Sequence, residues 1–147
     1  MAYRIREVDA SDEDIAEVIH EFNKVEARWP ALSDDELDGH NCFWWLAYDD
    51  ERTAVGFAGL VPSQRYPNAG YLKRAWVAET ARGSGLQGRF LRARALKARR
   101  IGWKMLVTET TDALHSANNL MKNGYRLFEP YEPWAFPNSL YWRKEFT

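Results

Sequence analysis

The sequence predicts one mixed α/β domain over residues 1–147, with a mostly antiparallel sheet of six to seven strands flanked by about four helices. Three observations carry this. Seven short stretches rich in apolar, β-branched or aromatic residues have the length of strands. Four others repeat apolar residues at helical spacing. Between a strand and a helix in mid-chain lies one glycine-rich turn, Arg82 to Gly88.

Composition bounds the rest. A chain of 147 residues is long enough for one real core. Its 46% hydrophobic and 28% charged residues are ordinary for a globular protein. A formal net charge of -1 supplies no global field toward nucleic acid or membrane, so neither is expected as a partner. Cys42 stands alone, which excludes an internal disulfide, and in its apolar run it reads as a small buried residue rather than a nucleophile. No apolar leader or transmembrane-length run is present, so the cytoplasm is the expected compartment. No metal site is expected. The unusual feature is seven Trp, seven Tyr and seven Phe, several beside proline in loops, which suggests a binding surface.

In chain order, Tyr3 to Val8 alternates as a first strand. Ser11 with Asp14 has a helix-capping pattern, and Ile15, Val18, Ile19, Phe22 and Val25 form the stripe of a helix that ends at Trp29-Pro30. Ser33 to Gly39 reads as a second short helix. Cys42 to Tyr48 is apolar throughout, as a strand buried on both faces is, and pairs with Thr53 to Val61 as a hairpin. Gly56 and Gly59 inside it indicate bulges or close packing. Gly70 to Ala78 is the central strand. The helix from Leu86 carries Arg89, Arg92, Arg94, Lys97, Arg99 and Arg100, read first as a solvated basic face, with a phosphate contact from Arg89 and a nucleic-acid patch as the other readings. Lys104 to Glu109 is a strand parallel to the central one through a right-handed crossover. Ala113 to Asn123 is a helix with Gly124 as its C′ residue. Tyr125 to Phe128 and Ser139 to Phe146 are the last strands, joined by a loop with three prolines.

The central turn is an anion site in the making. The first N–H groups of a helix lack intrahelical partners and carry the positive end of its dipole, and glycines let a phosphate approach. Two readings compete. Gly83-Ser84-Gly85-Leu86-Gln87-Gly88 fits G-x-G-x-x-G, with Glu109 about twenty residues on, as in a dinucleotide site. Yet Glu79 to Arg82 separate the strand from the first glycine, and too little chain follows Gly88 for the rest of a doubly wound domain. Alternatively, Arg82-Gly83-Ser84-Gly85-Leu86 resembles the pyrophosphate loop of the GNAT N-acetyltransferase superfamily, Gln/Arg-x-x-Gly-x-Gly/Ala. Arg82 and Gly85 match, and Gln87 stands where Gly or Ala is usual. The strand, helix, strand and hairpin that follow fit that family along nearly the whole chain.

That resemblance implies a V-shaped split between two parallel central strands and acetyl-CoA as acyl donor. Its pyrophosphate would lie on Arg82, Gly83, Ser84, Gly85, Leu86, Gln87 and Gly88, with Arg89 near a phosphate. Its pantetheine arm would pair with Ala75, Trp76 and Val77. The implied reaction is direct attack by a primary amine of a small molecule or peptide on the thioester. A homodimer is among the assemblies open to such a domain. In the family a Tyr in Leu-Tyr-x-x-x-Gly-Phe commonly supplies a proton to the departing thiolate. Here the run is Asn119-Leu120-Met121-Lys122-Asn123-Gly124-Tyr125, so Leu120 holds the Tyr position and the general acid is unassigned. A GNAT-like domain that binds acyl-CoA without turnover is the alternative.

An amine of pKa roughly 10.4 is almost wholly protonated at pH 7 and needs a base. Glu109 is the candidate, since alternation puts it on the face of Val107. The other reading of it is a surface carboxylate. His115 and Tyr131 are further candidates for proton transfer. For the acceptor, Trp29 on one wall and Trp134 and Phe136 on the other suggest an aromatic slot, suited to an apolar amine or to a cation held on ring faces. The same rings also read as cover for the end of the sheet.

Overall fold

The computed structural model describes residues 2–147. Seven strands form one sheet in the order β1-β2-β3-β4-β5-β7-β6. They are β1 (Arg4–Val8), β2 (Phe43–Tyr48), β3 (Ala54–Pro62), β4 (Ala69–Val77), β5 (Met105–Thr110), β6 (Arg126–Leu127) and β7 (Leu140–Glu145). All neighbours are antiparallel except β4 and β5. This arrangement is not a doubly wound sheet, which removes the dinucleotide reading.

Helices α1 (Glu13–Asn23) and α2 (Asp34–Asp38) cover one face of the sheet, with Ile19, Leu37, Trp44, Leu46 and Phe57 buried between. Helices α3 (Leu86–Arg100) and α4 (Leu114–Lys122) cover the other, where Phe90 of α3 packs with Ala58, Leu60, Leu72, Leu106 and Trp142 of the sheet. Strand β2 meets both layers, which is why Cys42 to Tyr48 carries no polar alternation.

The cap of α1 differs from the expectation. Asp12, not Ser11, accepts from the Asp14 and Ile15 N–H groups, while Ser11 donates to Asp9. Both residues are good caps, and the backbone chose the one a residue nearer the stripe. Ser33 and Glu36 form a reciprocal capping box on α2.

The glycines of β3 mark close approaches. A Cβ on Gly59 would lie 2.5 Å from the Trp44 ring, and one on Gly56 2.8 Å from the Trp76 carbonyl. Opposite Gly59 the register of β4 slips, from Ala58↔Ala75 to Gly59↔Lys73. Arg74 is the extra residue, a bulge with φ +57°.

That bulge explains Arg94, which is not part of a solvated face. Arg94 is fully buried, since it stands four residues from both Phe90 and Ala98 on the inner stripe of α3. Its Nη1 donates to the Gly59 carbonyl at 3.1 Å and the Arg74 carbonyl at 3.2 Å, and its Nε to the Phe90 carbonyl at 3.2 Å. No carboxylate pairs with it among the described residues, and burial pulls its pKa down to about 10. The cation is held by backbone dipoles alone, and it pins the bulge from the α3 side. Arg94→Ala should therefore destabilise the fold by about 2–5 kcal/mol, the range for emptying a large core site. Arg94→Met fills the space and sheds the buried charge, so it should stay within about 1.5 kcal/mol of the parent. Urea unfolding of the two variants checks this. Equal losses in both would mean that the charge, not the volume, holds the site.

Candidate active site

β4 and β5 pair over only three positions, Ala69↔Met105, Gly70↔Leu106 and Tyr71↔Val107. Thr108 Oγ1 donates to the Leu72 carbonyl at 3.4 Å as the strands begin to part. Beyond it the edge of β4 is free. The Ala78 N–H donates to the Val55 carbonyl at 2.7 Å, which makes Gly56/Val77 a non-hydrogen-bonded pair. Alternation makes Ala58/Ala75 another. The N–H and C=O groups of Ala75 and Val77 therefore turn away from β3, toward the gap left by β5. The Val77 carbonyl is met there by Arg82 Nε at 3.2 Å. Trp76 points its side chain the other way, onto Phe22 at 4.9 Å between ring centroids.

The gap opens onto the glycine turn. A short 3-10 turn, Glu79–Ala81, leads out of β4, and the Ser84 hydroxyl closes on the Ala81 carbonyl. Gly83 and Gly85 have φ +78° and +81°, and an added Cβ on either would meet nothing within 4 Å. Gly85 is the N-cap of α3 and offers no side chain to its first N–H groups. These groups are left for a ligand. The other residues of the loop divide. Leu86 is buried in the core, and Gln87 is partly buried at the helix start. Gly88 lies 3.2 Å from the Arg92 guanidinium when given a Cβ. Arg89 turns away from the loop and donates to the Tyr3 carbonyl at 3.0 Å.

On the opposite face, Glu109 sits at the mouth of the split. Its two carboxylate oxygens lie 2.6 and 2.7 Å from the Tyr71 hydroxyl, and Oε1 also accepts from Trp134 Nε1 at 2.8 Å. Burial and the neighbouring Glu109 charge push the Tyr71 phenol above its ordinary pKa, so it stays a donor. Beside this cluster a cavity of about 710 Å³ runs between α2, the end of β3 and Trp134. Lys73 on its floor pairs with Glu36 of α2 at 2.6 Å.

The other sequence candidates are scattered. His115 is exposed on the first turn of α4, and Tyr131 is 99% exposed at the tip of its loop. Leu120 is buried in the core, so no hydroxyl stands at that position. Trp134 packs edge-on against Tyr141, 4.6 Å between centroids. Trp29 packs against Phe57 at 6.2 Å, and Phe136 is exposed. Each of these three rings is already covered by an arginine of the chain: Arg74 on Trp29 at 5.2 Å, Arg65 on Trp134 at 4.9 Å and Arg28 on Phe136 at 5.8 Å. Arg74 is held further by Asn23 Oδ1 at 2.8 Å and the Pro30 carbonyl at 3.1 Å.

Sequence reasoning missed Tyr71, Lys73 and the arginines. Tyr71 carried a signal. Alternation puts it on the face of Lys73, and the parallel register sets it two rungs before Glu109.

A strand split of this kind, with a phosphate-ready turn at its end, is the architecture of an acyl-CoA-dependent transferase. The profile of the acetyltransferase (GNAT) family matches residues 5–125, and the chain belongs to that family. Solved structures share the fold. An acetyltransferase of the GNAT family from Staphylococcus aureus is 22% identical over 98% of this chain and 99% of its own, with a TM-score of 0.71. A GNAT superfamily phosphinothricin acetyltransferase from Sinorhizobium meliloti, crystallised with acetyl-CoA, is 16% identical over 99% and 89%, with a TM-score of 0.75. An acetyltransferase from Bacillus subtilis, crystallised with CoA, is 14% identical over 99% and 100%, with a TM-score of 0.72. No curated protein matches the chain in sequence. No helix among the described residues is long and apolar enough to cross a membrane, and no cluster of metal ligands occurs among them.

Proposed function

We propose that the protein is an N-acetyltransferase that moves the acetyl group of acetyl-CoA to a primary amine. The observation that carries this is the free edge of β4 ending in the Gly83–Gly85 turn. The open space at both glycines and the unpartnered N–H groups of α3 fit a pyrophosphate, and the turned-out groups of Ala75 and Val77 fit an amide-bearing arm. Arg82 must release the Val77 carbonyl when the arm pairs there. When bound, acetyl-CoA supplies the acyl group as a thioester.

The chain's own groups then have separate tasks. The Ala75 N–H, aimed into the gap, donates to a carbonyl oxygen lying there. Glu109 takes the proton that the amine must shed, with Tyr71 and Trp134 fixing the carboxylate's orientation. With Leu120 at the usual Tyr position the general acid is unassigned, and a thiol of pKa roughly 8.5 can leave unaided at some loss of rate. This residue favours the second reading, a domain that binds acyl-CoA and turns over slowly or not at all.

Acetyl-CoA should raise the melting temperature, while NAD and ATP at equal concentration do less. Binding to the native state alone adds about 2.7 kcal/mol at a hundredfold excess over Kd. A shift with NAD and none with acetyl-CoA would overturn the reading. Release of free thiol with a panel of amines then separates an enzyme from a binding module.

A further inference from the structure

The charges around the 710 Å³ cavity say what kind of amine fits it. Its carboxylates are on one side, Asp35 and Glu36 from α2, with Glu109 at the inner end through Tyr71 and Trp134. Of its two cations, Lys73 is already paired to Glu36. Arg65 is not. It forms no ion pair and no side-chain hydrogen bond among the described residues, and it is exposed at the rim. What positions it is the face of Trp134, 4.9 Å away. The same indole donates its N–H to Glu109. One side chain thus carries a carboxylate on its edge and a free guanidinium on its face.

The neighbouring ring faces argue in the same direction. A cationic acceptor seeking an aromatic slot finds Trp29, Trp134 and Phe136 each capped by an arginine. Arg74 is tied to Asn23 and Pro30 and Arg28 to Glu26, which leaves Arg65 as the guanidinium presented to the cavity. Guanidinium stacked on an aromatic ring keeps its in-plane N–H fork free for a carboxylate.

We propose that the acceptor is a zwitterion of the amino-acid class, a primary amine whose carboxylate docks on Arg65 while its amine meets Glu109. This rests on the acetyltransfer reading above. In the step itself, the ammonium gives one proton to Glu109, the amine nitrogen forms the new C–N bond, the thioester C–S bond breaks with the electron pair leaving on sulfur, and a second N–H proton passes through solvent to the thiolate. Free CoA and an N-acetylated acid are the products.

The test uses matched trios of acceptors: a free L-amino acid, its amide and its decarboxylated amine, with phenylalanine, glutamate and methionine as the acids. Thiol release from acetyl-CoA is followed. The free acid should exceed its amide at least tenfold in kcat/KM for one trio or more, as expected for a charge-assisted fork. Arg65→Gln should bring that ratio near one by raising KM for the acid rather than lowering kcat, and Arg65→Lys should restore part of it. Arg65 is exposed, so the variants fold. Amides or decarboxylated amines that react as well as the acids would overturn the inference, as would an Arg65→Gln that slows every acceptor alike. So would a protein that binds acetyl-CoA in a calorimeter yet acetylates no member of the panel. The first two results leave the acetyltransfer reading standing, and the third favours the domain that binds acyl-CoA without turnover. A protein that binds no acetyl-CoA sinks that reading, and this inference with it.

Discussion

Gly85→Val removes acetyl-CoA binding from a protein that still folds. Two features of the turn give this result. At φ +81° a β-branched residue is strained, by roughly 1–3 kcal/mol. That is a fraction of a domain's stability, and a Cβ at this position meets no neighbour within 4 Å. The open space it fills is the approach to the first N–H groups of α3. A phosphate cannot share that space with an isopropyl group. The expected rise in Kd is at least a hundredfold by calorimetry, with the melting temperature lowered by only several degrees. Unchanged affinity in the folded variant would place the cofactor elsewhere.

Glu109→Gln is expected to lower kcat by about 10²–10⁴, the range for loss of a positioned base. Gln keeps one oxygen for Tyr71 and Trp134 and nearly the same volume, so stability changes little. The pH profile separates a base from a scaffold. Without Glu109 only amine molecules already neutral react, so the variant's rate should climb about tenfold per pH unit toward the amine's pKa of roughly 10. A variant whose loss is the same at every pH would make Glu109 a positioning group for Tyr71 and Trp134.

Whatever depends on neighbours in sequence was legible from the chain alone. The strand–turn–helix around Gly83 and Gly85 is local, and the resemblance carried by Arg82 and Gly85 led to the fold with its parallel pair. Glu109 could be put on the face of Val107 by alternation. Its partners were harder to reach: Tyr71 and Trp134 lie 38 and 25 residues away, and placing Tyr71 also needs the register between β4 and β5. The stacking of arginines on Trp29, Trp134 and Phe136 is equally non-local, and it reverses what the rings imply when taken alone. Arg94 failed for another reason. Its charge outweighed its position in the reading, although its spacing from Phe90 and Ala98 put it on the inner face.

The three rungs between β4 and β5 also bear on how the molecule moves. Strands β1 to β4 form one half-sheet and β5 to β7 the other, and so short a seam is a weak mechanical link between them. The amides of Ala75 and Val77 lie along the open part of that seam, where nothing from β5 shields them. In deuterated buffer they should exchange early in the free protein, ahead of those of β3. A donor lying in the gap then serves as a borrowed strand, and exchange at these two positions should slow when acetyl-CoA is added.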